Sequence, residues 1–112
     1  MKVYIAGPMR GHPLYNFPAF YAAEERLRAQ GWDVYNPARV DQELDGFDPV
    51  TGANLQTMEV YMFRDFEAIL HQCDAIALLP GWQSSSGATK EHVVAEAVGR
   101  QIIDLSLEVP DA

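Results

Sequence analysis

The strongest constraint on this chain is a pair of short apolar runs that do not alternate with polar residues. Asp74 to Leu79 reads Asp-Ala-Ile-Ala-Leu-Leu and stops at Pro80-Gly81; Lys2 to Ala6 is similar and stops at Gly7-Pro8. Runs this short, bounded by turn residues, are strands, and continuous apolarity means that both faces of the sheet are covered. Helical spacing fills the intervals. From Phe17, the residues Phe20, Ala23 and Leu27 share one face, with Asn16 expected as the cap, Pro18 in the first turn and Gly31 beyond the end. Asp33 to Asn36 is a second strand stopped by Pro37, about Thr57 to Gln72 and Ser86 to Val98 are helices, and Gln101 to Leu105 is a last strand. Strands alternating with helices require right-handed crossovers. The expectation is an α/β three-layer sandwich with a parallel sheet in the flavodoxin-like strand order 2-1-3-4. Residues 38–56 match no regular element; they are expected to be a long acidic loop, either a mobile surface segment or a lid.

At 112 residues and 12.5 kDa the chain is expected to be a single domain, 1–112, and 48% hydrophobic residues can fill one core. The 16 acidic against 8 basic residues give a net charge of −8. That excludes the basic footprint needed for duplex nucleic acid or an anionic membrane surface. No apolar run is long enough to span a bilayer, and the apolar start is too short for a signal peptide, so a cytoplasmic location is expected. The lone Cys73 excludes an internal disulfide framework and a paired-cysteine metal knuckle. His12, His71 and His92 lack zinc spacing, so neither metal nor cofactor is expected.

In such a sheet, ligands bind beyond the carboxyl ends of the strands where the strand order reverses, here between the first and third. Two Gly/Pro-rich segments fall there, Gly7 to Gly11 and Pro80 to Gly87. Asp65 interrupts an apolar helix face made by Met58, Tyr61, Met62, Phe66, Ile69 and Cys73. A carboxylate among apolar residues needs a partner or a purpose. It either pairs with Arg64, Tyr4 or a backbone N–H, sits at the edge of the stripe, or works in a pocket. Glu91 likewise opens the stripe Val94, Ala95, Val98, and no capping box explains it because Ala88 stands three residues earlier. It is either a first-turn acid favoured by the helix dipole or a second working carboxyl. Two carboxyls converging from helices beside one strand are what glycosidic bond cleavage demands. Ser84, Ser85, Ser86 and Gly87 precede a helix and suit an anion, above all phosphate, with Arg10 of the turn Gly7-Pro8-Met9-Arg10-Gly11 supplying charge. Neither a GxGxxG nor a Walker loop is present. Trp82 is either a stacking surface for a base or a packing residue at the rim.

Taken together, Tyr4 to Gly11, Asn16 to Phe20, Asn36-Pro37, Cys73 to Ile76, Leu79 to Trp82, Ser85 to Ala88 and Glu91 resemble the nucleoside 2-deoxyribosyltransferase superfamily over roughly residues 1–106. The likeness is to its small phage and bacterial branch of unknown function, related to the 2'-deoxynucleoside 5'-monophosphate N-glycosidases. The resemblance implies that Tyr4 positions the nucleophile, Glu91 attacks the anomeric carbon and Asp65 assists departure of the base. Gly7, Arg10, Ser85 and Gly87 match the phosphate-binding positions. The expected activity is hydrolysis of the N-glycosidic bond of a (deoxy)nucleoside 5'-monophosphate, in a bacterial or phage-infected cell. The alternatives are transfer of the sugar to a second base, or a non-catalytic nucleotide-binding module on the same fold. A homodimer or higher homo-oligomer is expected, with Phe17, Phe20, Tyr21, Tyr61, Met62 and Phe66 contributing to an exposed apolar patch.

Overall fold

The computed structural model describes residues 1–107; the expected domain span, 1–112, runs past them. Four strands form one all-parallel sheet, β1 (Lys2–Ala6), β2 (Asp33–Tyr35), β3 (Ala75–Leu78) and β4 (Gln101–Asp104), in the order β2-β1-β3-β4. The helices are α1 (Phe17–Ala29), α2 (Pro37–Asp45), α3 (Met58–His71) and α4 (Ser86–Ala97). Side chains alternate across β1, and the two faces feed two separate cores. Val3 and Ile5 pack with Phe17, Phe20, Ala23 and Leu27 of α1, while Tyr4 and Ala6 pack with Ala68 and Ile69 of α3 and Ala88 and Ala95 of α4. The expected three-layer α/β architecture and strand order are those observed.

Three local expectations need correction. Residues 38–56 are not one irregular loop, because Pro37–Asp45 forms α2. Pro37 is the first residue of that helix rather than merely the end of β2; its missing N–H costs nothing there and its φ is already helical. Asn36 caps the helix, its Oδ1 accepting from the Ala38 N–H at 3.0 Å, and Gly46 ends it at φ +65°, a left-handed position suited to glycine. Asn16 does not cap α1 with its side chain. It is itself left-handed (φ +60°), and its Nδ2 donates to the Pro8 carbonyl at 2.9 Å, tying the β1–α1 loop together. Phe17 and Phe20 are core residues, and Tyr21, Tyr61, Met62 and Phe66 are half-buried, so they do not form the expected exposed patch. The exposed apolar side chains before and along α3 include instead Leu55, Met58, Val60 and Phe63, the last 74% exposed.

Gly7 marks the place where the sheet gives way to the site. A Cβ there would stand 2.7 Å from Leu79 Cβ, so only glycine lets the chain leaving β1 pass the end of β3. No described helix is long and apolar enough to cross a membrane.

Candidate functional site

A cavity of about 410 Å³ opens beyond the carboxyl ends of β1 and β3, where the strand order reverses. Its floor is carboxylic. Tyr4 points from β1 towards the α3–α4 layer and is fully buried; its hydroxyl donates to Glu91 Oε2 at 2.7 Å. Glu91 is the sixth residue of α4 and 9% exposed, so the first-turn explanation does not apply to it. Asp65 comes from α3 and faces both Glu91 and the Tyr4 hydroxyl within hydrogen-bonding reach. Its Oδ1 is buried without a partner. Arg64 is not the partner of Asp65. Its guanidinium grips Asp45 through two bonds of 3.0 Å and Asp41 through one of 3.1 Å, joining α3 to α2.

Burial drives the proton affinities on this floor. It pushes Asp65 up to about 6, against the restraint of hydrogen bonds with Glu91 and Tyr4. Burial, then the charge of Asp65, raises Glu91 well above the ordinary carboxyl range. Two adjacent buried carboxyls cannot both ionise cheaply, so near neutral pH the pair holds one proton. Tyr4 is raised by burial, then by the charges of Asp65 and Glu91, and therefore remains a donor.

The α3 stripe divides by function. Ala68 and Ile69 are buried against the sheet, whereas Met58, Tyr61, Met62 and Phe66 line the cavity around Asp65. Aromatic and apolar side chains from α1, α2 and the chain before α3, among them Phe17, Phe47 and Leu55, complete that wall.

The rim carries the opposite charge. Gly7, Pro8, Met9 and Arg10 line one side; Ser84, Ser85, Ser86, Gly87 and Lys90 line the other. Ser85 is the cap of α4, its Oγ accepting from the Ala88 N–H at 3.2 Å. The Ser86 and Gly87 N–H groups, at the first positions of the helix, have no intrahelical acceptor. A Cβ on Gly87 would meet nothing within 4 Å, so the backbone is open to a ligand. Among the described residues, no acid lies in salt-bridge range of Arg10 or Lys90.

Tyr4, Asp65, Glu91, Gly7, Pro8, Met9, Arg10, Ser85, Ser86 and Gly87 thus meet in one cavity. Trp82 does not line it. Its ring packs on His92 at 4.7 Å between centroids and against the α3–α4 core, with Nε1 buried and unpaired, so stacking on a ligand base is corrected to packing. Among the lining residues that sequence reasoning did not assign to the site are His12, Asp41 and Lys90. The signal for Asp41 was present, since Asn36-Pro37 starts a helix and Asp41 and Asp45 then fall on one face at a four-residue step. Among the described residues, no group of three or more His, Cys, Asp or Glu is placed to hold a metal ion.

No curated protein matches the chain. Residues 1–104, which carry both the carboxyl floor and the cationic rim, match the family described as Domain of unknown function (DUF4406), and the chain belongs to that family.

Proposed function

We propose that the chain hydrolyses the N-glycosidic bond of a nucleoside or 2'-deoxynucleoside 5'-monophosphate, in the cytoplasm of a bacterial or phage-infected cell. The observation that carries this reading is the cluster of buried Tyr4 and Glu91 with half-buried Asp65 at the floor of a cavity whose rim holds unpaired cations. One shared proton supplies both species that the chemistry needs, a carboxylate and a carboxylic acid. The phosphate lies against Arg10 and the start of α4, where free N–H groups and the helix dipole favour an anion. Gly87 and Glu91 are four residues apart on one face of α4, about 6 Å along the axis. That span is comparable to one sugar ring with its 5'-phosphate ester, so an anchored phosphate delivers the anomeric carbon to Glu91.

With the proton of the pair on Asp65, Glu91, oriented by the Tyr4 hydroxyl, attacks the anomeric carbon as carboxylate. The bond to the base breaks, its electron pair leaves with the base, and the proton shared with Asp65 goes to the departing nitrogen. Asp65, now ionised, takes a proton from the water that cleaves the glycosyl ester, releasing sugar 5-phosphate and restoring Glu91. Close approach of the two carboxyls suits this two-step route, in which they stand roughly 5–5.5 Å apart, better than direct attack by water, which needs roughly 6.5–9.5 Å. A second base in place of water would give transfer instead of hydrolysis.

The test is incubation with ribo- and deoxyribonucleoside monophosphates, followed by chromatography for free base. Wild-type protein releases base, and Glu91→Gln lowers the rate by at least about a thousandfold. Arg10→Ala raises KM for monophosphates while leaving that for nucleosides little changed. Absence of base release from every monophosphate overturns the proposal.

A further inference from the structure

The apolar wall of the cavity contains a carboxylate that the reaction above does not use. Asp41 projects from α2 and is 6% exposed, yet lines the cavity among Pro37, Phe47, Tyr61 and Phe66. Among the described residues it is the one charged side chain in that wall, away from the floor and the rim. The wall offers apolar and aromatic surface for a flat base to lie against. The one charged neighbour of such a base there is Asp41.

The atoms of Asp41 are individually accounted for. Oδ1 accepts from Arg64 Nη1 at 3.1 Å, and among the described residues Oδ2 makes no hydrogen bond. Arg64 cannot swing to cover Oδ2. Asp45 holds it through both terminal nitrogens, and its guanidinium lies 5.8 Å from the centre of the Tyr61 ring. The result is a rigid carboxyl with one acceptor oxygen left over. Burial, then the nearby charge of Asp65, pushes Asp41 up to about 7 despite Arg64, so its unsatisfied oxygen gains from a donor brought by a ligand.

We propose that Asp41 reads the base, its free Oδ2 accepting a hydrogen bond from an exocyclic amino group, so that the cavity selects cytosine, adenine or guanine over uracil and thymine. The selection rests on the monophosphate reading above. In uracil a carbonyl replaces the cytosine amino group, and the N3–H is flanked by carbonyl oxygens on both sides. An Oδ2 placed for the amino group then faces a carbonyl oxygen, and reaching the N3–H instead brings the Asp41 carboxylate against a carbonyl oxygen on either side.

The deciding experiment uses matched pairs in which a carbonyl replaces the exocyclic amino group and the adjoining ring nitrogen gains a hydrogen: dCMP against dUMP, and dAMP against dIMP. Binding is measured by calorimetry at pH 8 in the Glu91→Gln protein, with and without Asp41→Asn. Base release is followed in parallel with Glu91 intact. The amino-bearing member is expected to bind and react roughly 10- to 100-fold better. Asp41→Asn keeps Oδ1 for Arg64 but can turn an N–H towards a carbonyl, so each ratio should fall to within about threefold of unity. Thermal melting checks that the variant is folded. A ratio unchanged by Asp41→Asn, a preference for dUMP in the parent, or no binding of any of the four overturns the inference. Discrimination without base release would refute hydrolysis and leave Asp41 as the reader of the base; base release with an unchanged ratio would do the reverse.

Discussion

Replacing Asp65 with asparagine should make the protein more stable, by an amount that depends on pH. In the unfolded chain the carboxyl has its ordinary value near 3.8; in the folded protein burial pushes it up to about 6. Below about pH 3 the group is largely neutral in both states and contributes little difference. As pH rises from there, the unfolded chain releases the proton first, so the unfolded state is increasingly favoured until the folded group also ionises near 6. Above that the penalty is constant, of the order of 3 kcal/mol for a rise of this size. The amide that replaces the carboxyl cannot ionise, and Oδ1 already lacks a partner, so the substitution sacrifices no hydrogen bond on that atom. At pH 8 Asp65→Asn should therefore gain about 2–3 kcal/mol in urea unfolding, or roughly 10 °C in Tm. At pH 4 it should gain only about 0.5 kcal/mol. Circular dichroism melts at pH 4, 6 and 8 decide the matter. A difference that does not vary with pH, or a wild type that grows more stable relative to the variant as pH rises, would refute the reasoning. Base release should fall in the same variant, as expected where stability is given up for a working site.

Other perturbations test the frame around the site. Arg64→Ala leaves Asp41 and Asp45 buried without their cation and should cost about 3–5 kcal/mol in urea unfolding. Gly7→Ala drives a methyl to 2.7 Å from Leu79 Cβ and should cost about 1–3 kcal/mol, with weakened phosphate binding because the adjoining turn must shift. The exposed Val60 and Phe63, on α3 away from the cavity, lead us to propose association of like chains through this face. Light scattering at micromolar concentration should give a mass of at least about twice 12.5 kDa, reduced by Phe63→Asp; a monomeric wild type would dismiss the idea.

The layers and strand order were legible in the chain because they follow from local patterns. Uninterrupted apolar strands such as Ala75–Leu78 need cover on both faces, helical spacing such as Phe20, Ala23 and Leu27 supplies it, and crossover handedness leaves few topologies. Asp65 and Glu91 stood out for a related reason, since a carboxyl inside an apolar stripe violates the pattern that makes the stripe. What sequence could not supply was the pairing of groups far apart along the chain. The Tyr4 hydroxyl reaches Glu91 across 87 positions, and Arg64 turns from its neighbour Asp65 to Asp41 and Asp45, 23 and 19 positions away. Trp82 and Asp41 exchanged their expected importance on the same account. Side-chain direction at the end of a strand or helix is settled by which neighbour fills the adjoining space, and that neighbour arrives only with the tertiary fold.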